Sequence, residues 1–263
     1  MTAQILPTSP FADILPVLDH LPARKDYIPP YDLAAVLKRQ DINAAGLMKL
    51  LTHLQQWQNE ITIKHPRLCL FGSAYTQPDQ AATLTAQLIA QCQNVAMPIQ
   101  MLCRMVDTDL RVYELDLSQQ AVTDRRAAQA MTYGMLAVED NVDVILLHSL
   151  SVGHDDAAIA FLKQFNKDAD AETILNNAVS YMGLDFFAGL GCALAARLAQ
   201  KPVLVTGSYG HAIKDVLQAM SPQASEHIIV LGHDHSLHLP DVYALLHHVQ
   251  NVRFVSSFLP KRG

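Results

Sequence analysis

Short runs rich in Val, Ile and Leu recur between longer amphipathic stretches, and this alternation constrains the fold more than any other property of the chain. The runs fall at 68–71, 110–115, 142–147, 203–206, 228–231 and 252–255, each bounded by turn residues. A strand that is apolar at successive positions must be covered on both faces, as in a parallel sheet between two helical layers. Helical periodicity fills the intervals. Ile42, Leu47, Leu50, Leu51, Leu54 and Trp57 recur at spacings of three and four and predict a helix ending near Thr62. Further helices are predicted at 79–106, broken at Pro98, and at 123–139 and 155–166. Others are expected at 171–200 with a break near Gly183, at 209–220 and at 241–250. The expectation is an α/β fold of about six parallel strands over 65–263. An N-terminal arm and helical subdomain occupy 1–64, where six prolines precede residue 31 and point to an irregular path over the body.

At 263 residues the chain is long enough to bury a large core without disulfides or metal. The net charge is −6 and no window concentrates Lys and Arg, so no nucleic-acid surface is expected. Cys69, Cys92, Cys103 and Cys192 show no CxxC spacing and lie in apolar surroundings, which fits reduced thiols in the cytoplasm. Residues 1–10 carry no basic and apolar leader pattern, and no apolar run approaches the roughly 20 residues that span a bilayer, so no membrane association is expected.

In open parallel sheets, ligands bind at the carboxyl ends of the strands, where helix N-termini present free N–H groups. Four turns are therefore informative: Gly72-Ser73-Ala74-Tyr75, the 148–156 turn, Thr206-Gly207-Ser208-Tyr209-Gly210-His211, and Gly232-His233-Asp234-His235. The 148–156 turn carries His148, Ser149, Ser151, Gly153, His154, Asp155 and Asp156. A phosphate loop would offer Gly, Ser, Thr or Lys rather than two adjacent carboxylates. Gly207 and Ser208, by contrast, offer backbone N–H groups and a hydroxyl without negative charge. The histidines and aspartates at 148–156 and 233–238 contain ligand types for a borderline metal, but HxH and HDD are not diagnostic spacings and no metal or cofactor is expected. Asp155 and Asp156 also read as first-turn carboxylates that complement a helix dipole. Gly189 and Gly191 form a lone GxG without the third glycine of a dinucleotide fingerprint, and close helix-to-sheet packing accounts for them.

From about Ala81 to Pro240 these segments resemble the nicotinate-nucleotide:dimethylbenzimidazole phosphoribosyltransferase family of cobalamin biosynthesis. His148 to Asp156, followed by Ala157-Ala158, is similar to that family's Gly-Glu-Met-Gly-Ile-Gly-Asn-Thr-Thr loop. Tyr181-Met182-Gly183-Leu184-Asp185 through Gly191 is similar to its Gly-Gly-Leu-Glu-Ile segment, and 201–207 to its Pro-Val-Leu-Leu-Asp-Gly strand. Gly232-His233 stands where the family has a Gly/Ser-His. The resemblance implies a Rossmann-like sheet with a small helical domain, a homodimer, and transfer of phosphoribose from nicotinate mononucleotide to a benzimidazole nitrogen. It also implies a nucleotide or azole ligand against Ser149, Ser151, Gly153, His154, Gly183, Asp185, Gly207, Ser208 and His233.

The departures from the family pattern are specific. Ser149 replaces the loop glutamate, and His154, Asp155 and Asp156 replace Asn-Thr-Thr. The Asp-His-Gly after the first strand is Gly72-Ser73-Ala74-Tyr75, and no glutamate follows Glu226 to match the family's Leu-Gly-Glu-Gly base. A positioned base contributes about 10² to 10⁴ in rate. Two readings follow: a divergent ribosyl-type transferase in which Asp155 or Asp156 serves as the catalytic carboxylate, or a non-catalytic ligand-binding or regulatory relative.

Overall fold

The computed structural model describes residues 9–23, 45–58, 62–231 and 238–257. In chain order they form α1 (Ala45–Gln58), β1 (Pro66–Gly72), α2 (Ala81–Gln93), α3 (Pro98–Met105), β2 (Asp109–Glu114), α4 (Asp124–Met135) and β3 (Val144–Ser149). Then come α5 (His154–Gln164), α6 (Ala171–Val179), α7 (Leu184–Leu198), β4 (Val203–Thr206), α8 (Gly207–Met220), β5 (Ile228–Leu231) and α9 (His238–Ser257). The strands make one parallel sheet in the order β2-β1-β3-β4-β5.

Among the described residues the sheet has five strands, not six. The apolar run at 252–255 lies inside α9. Val242, Leu245, Leu246, Val249 and Val252 are all buried and recur at helical spacing, so the run continues one helix face rather than starting a strand. The remaining strands form where expected, and their burial explains why. Cys69, Phe71, Ile145, Leu147, Val203 and Val205 enter one core with residues of α4 to α8, and Phe11 and Ile14 of the N-terminal segment join them. Leu68, Leu70, Val144, Leu146, Leu204 and Ile229 point the other way, against α1, α2, α3 and α9. The two-residue period of the strand thus supplies two cores from one run.

Helix α7 is buried along nearly its whole length and crosses α4 at backbone contact. A Cβ on Gly134 would stand 1.8 Å from the Ala188 carbonyl oxygen, and one on Gly191 would stand 1.9 Å from that of Met131. Gly189 faces the Tyr209 hydroxyl of α8. These glycines therefore serve helix-to-helix packing rather than the helix-to-sheet packing expected from the sequence.

Buried and half-buried cations cluster at the amino ends of the strands. Arg67 bonds Asp109 at 2.8 Å and Glu139 at 2.9 Å and donates to the Ala137 carbonyl. Lys201 Nζ donates to the carbonyls of Glu139, Asp140 and Val142, and Arg253 donates to those of Ile63 and Val106. His227, one residue before β5, is 1 % exposed and donates from Nε2 to the Ala193 carbonyl at 2.8 Å. Burial pushes its pKa down to about 3.

Gly191→Ala destabilises the protein by at least about 2 kcal/mol, because the obstacle is backbone that cannot rotate away; denaturant unfolding measures it. For His227, the unfolded chain takes up a proton below about pH 6.5 that the folded ring refuses until about pH 3. Its contribution is therefore intact above pH 6.5 and is lost as pH falls toward 3, by up to about 4 kcal/mol. His227→Gln, which retains an N–H donor, flattens the stability curve in that window and leaves it unchanged above pH 7.

Candidate functional site

The strand order reverses between β1 and β3. Chain leaving β1 passes toward β2 on one side, and chain leaving β3 passes toward β4 on the other, so a crevice belongs at their carboxyl ends. The residues there are Ser73, just past β1, and Ser149, the last residue of β3. Both turn their hydroxyls onto one carboxylate: Ser73 Oγ donates to Asp185 Oδ1 and Ser149 Oγ to Asp185 Oδ2, each at 2.6 Å. Asp185 lies in the first turn of α7 and is fully buried. A buried carboxylate must be hydrogen-bonded or neutralised, and two hydroxyl donors plus the positive end of α7 meet that need. Ser151 Oγ accepts from the Ser73 N–H at 2.8 Å, and the Ser151 N–H donates to Ser149 Oγ at 3.0 Å.

Gly183, before α7, sits at the centre of this knot. A Cβ there would lie 2.5 Å from Asp185 Oδ1, 2.7 Å from the Tyr75 ring and 2.8 Å from Ser73 Oγ, so no side chain fits. The Tyr75 hydroxyl is buried beside Asp185 and Gly183. Burial and the charge of Asp185 hold its pKa well above the usual phenol range, with a smaller contribution from Asp155.

The second half of the site joins the N-termini of α5 and α8. Gly153 precedes α5 with φ 94°, a left-handed conformation, and a Cβ there would meet the Gln77 carbonyl at 2.4 Å. This brings His154 inward, 3 % exposed, with its ring edge-on to both His148 and Tyr209. His154 Nδ1 donates to the Ser151 carbonyl at 2.6 Å, and Nε2 lies 3.6 Å from Asp155 Oδ2, an ion pair whenever the ring is protonated. Thr206, which precedes α8, makes no cap to its own helix and shares a hydrogen bond with His148 Nδ1 at 3.3 Å. The cap comes from across the crevice: Asp155 Oδ1 accepts the Tyr209 N–H at 3.4 Å. Tyr209 in turn donates its hydroxyl to the Asp185 carbonyl at 3.0 Å, which links the two carboxylate centres.

Of the residues singled out from sequence, Ser149, Ser151, Gly153, His154, Asp155, Gly183 and Asp185 are brought together here. Gly207, with φ 65°, and Ser208 open α8 and are partly exposed. Asp156 is exposed, because one residue of helix turns it about 100° away from Asp155. His233, with Asp234 and His235, lies outside the described residues, and no group of three or more potential metal ligands occurs among the described residues. Ser73, Tyr75, Thr206 and Tyr209 complete the site. Their signal in the sequence is a polar or aromatic residue at the point where an apolar strand gives way to a helix.

Removing either serine hydroxyl takes a bond from a charged acceptor, worth about 1.5–3 kcal/mol. We expect Ser73→Ala and Ser149→Ala each to lower stability in that range. The double variant loses a different amount from the sum, because both act on one carboxylate. Thermal or urea unfolding of the four proteins closes this cycle.

No protein-family model matches the chain. Among curated proteins it is 23% identical over 281 aligned residues to the nicotinate-nucleotide–dimethylbenzimidazole phosphoribosyltransferase of a Sinorhizobium species, covering 85% of this chain and 80% of the relative. It is 22% identical over 276 aligned residues to that of Rhizobium rhizogenes, with the same coverage. The crystal structure of CobT from Thermus thermophilus superposes with a TM-score of 0.62 at 12% identity, over 94% of this chain and 95% of that one, and so shares its fold. No helix among the described residues is long and apolar enough to cross a membrane. In sequence and architecture, this chain is a distant homologue of the nicotinate-nucleotide–dimethylbenzimidazole phosphoribosyltransferases.

Proposed function

We propose that this chain is a ligand-binding member of the phosphoribosyltransferase family that has given up phosphoribosyl transfer from nicotinate mononucleotide. The observation that carries the reading is the state of Asp185. The sequence resemblance aligns it with a family glutamate, yet here it is fully buried and both of its oxygens already accept a serine hydroxyl. Asp185 is therefore no substitute for the family's Leu-Gly-Glu-Gly base, which this chain does not match: a general base must reach the proton that it abstracts, within about 3 Å or through one water, and this carboxylate is enclosed. Asp185 serves instead as a strut that closes the crevice between β1 and β3. Ser149, where the family loop has a glutamate, supports the same reading, because its hydroxyl is spent on the strut. Asp155 is better exposed, but it is held by the α8 N-terminus.

What remains is a crevice edge made of Asp155, Gly207 and Ser208, which suits recognition of a nucleoside- or azole-type molecule. A homodimer, as the resemblance implies, belongs to the same proposal. The test incubates folded protein with nicotinate mononucleotide, with and without dimethylbenzimidazole, and follows release of nicotinate by chromatography. We expect no ribosylated azole even when enzyme and substrate are near stoichiometric, together with measurable binding of the azole by calorimetry. Formation of the ribosylated azole would overturn this reading in favour of a transferase with Asp155 as the base.

A further inference from the structure

The carboxyl end of β3 has a second side. Ser149 turns its hydroxyl onto Asp185, toward α7. Leu150, the next residue, joins the core on the opposite face of the sheet, with residues of α1, α2, α3 and α9. There the chain leaves a cleft unfilled. Cys92 of α2, Ile99 of α3, Leu150 and Val242 of α9 form its floor, each at most 3 % exposed. Gln91 of α2 and Tyr243 of α9 also line it and are exposed, so they stand at its mouth. The cleft encloses about 480 Å³ counting that mouth, within the roughly 300–1,000 Å³ typical of small-molecule sites. Among the described residues that line it none is charged, although 17% of the chain is.

We propose that this cleft is a second binding site, for an uncharged, compact molecule with a hydrocarbon ring as its body and at most one hydrogen-bonding group. The floor offers only carbon and the Cys92 thiol, which burial keeps protonated by pushing its pKa up to about 11. An ionic group that entered would lose its hydration and meet no opposite charge. Apolar side chains beside unfilled space lack contact partners, and a ring of carbon supplies them. The Gln91 amide and the Tyr243 hydroxyl can serve one polar group on the outward side of the ring. The size of the cleft favours a small molecule over a second chain. A standard protein interface takes about 20–30 residues a side, whereas nine described residues line this cleft. The site lies across the sheet from the Asp185 strut and does not depend on the ligand-binding reading of the crevice.

The experiment titrates the full chain with toluene, benzyl alcohol and benzoate, which share one ring and carry no polar group, a neutral hydroxyl or a charge. Binding is read from the methyl resonances of Ile99, Leu150 and Val242 by NMR. We expect saturable shifts of these methyl groups with both neutral compounds, benzyl alcohol binding several-fold more tightly than toluene. Benzoate binds at least tenfold more weakly than benzyl alcohol. Leu88, half-buried on the α2 wall of the cleft, is replaced by a larger ring in Leu88→Trp, and both neutral affinities then fall at least tenfold. Gln91→Ala, at the exposed mouth, narrows the gap between benzyl alcohol and toluene and leaves the melting temperature of the free protein unchanged. Shifts that do not saturate, benzoate bound as tightly as benzyl alcohol, or neutral affinities unmoved in Leu88→Trp would each overturn the proposal.

Discussion

The junction of Ser73, Asp185 and Ser149 ties three elements that have no covalent reason to meet: the end of β1, the end of β3 and the start of α7. It lies where the strand order reverses, so the two strands would otherwise hand their chains in opposite directions and leave a cleft. A carboxylate in that position, fully buried, holds the cleft shut only while both hydroxyls face it, because a buried charge with one donor removed is costly. Gly183 and the Tyr75 ring pack against the same point, which leaves the knot no room to expand. The breadth of the crevice is therefore set by three polar side chains rather than by the apolar cores on either side of the sheet.

The placement of charge follows from the helices. In a parallel α/β sheet the crossover helices run back against the strands, so their carbonyl ends gather at the amino edge and their N–H ends at the carboxyl edge. The cations at the amino edge obey this. Arg67 bonds the Ala137 carbonyl beyond α4, Lys201 bonds three carbonyls of the same connection, and Arg253 bonds the Val106 carbonyl at the end of α3. Asp155 and Asp185 obey it at the other edge, each in a helix first turn. Structural pinning thus accounts for the cations at one edge, and the same dipoles that would welcome a ligand anion have at the opposite edge been met by the protein's own carboxylates.

Much of the fold could be read in the chain because β1, β3, β4 and β5 are covered on both faces and so show as unbroken apolar runs. The 252–255 run misled for a physical reason: a stretch as short as Val-Arg-Phe-Val fits a strand or a helix equally well, and only its phase with Leu245, Leu246 and Val249 decides it. The site was legible as a set of turns but not as a network. Gly153 and Gly207 stood out as glycines because left-handed backbone requires them. That Asp155 caps α8 rather than its own helix depends on β3 lying beside β4, which local pattern cannot convey. The resemblance implied Asp185 as a ligand-binding residue, and its burial appears only once Ser73, more than a hundred residues away, is brought beside it. Asp156, chemically identical to its neighbour, faces solvent.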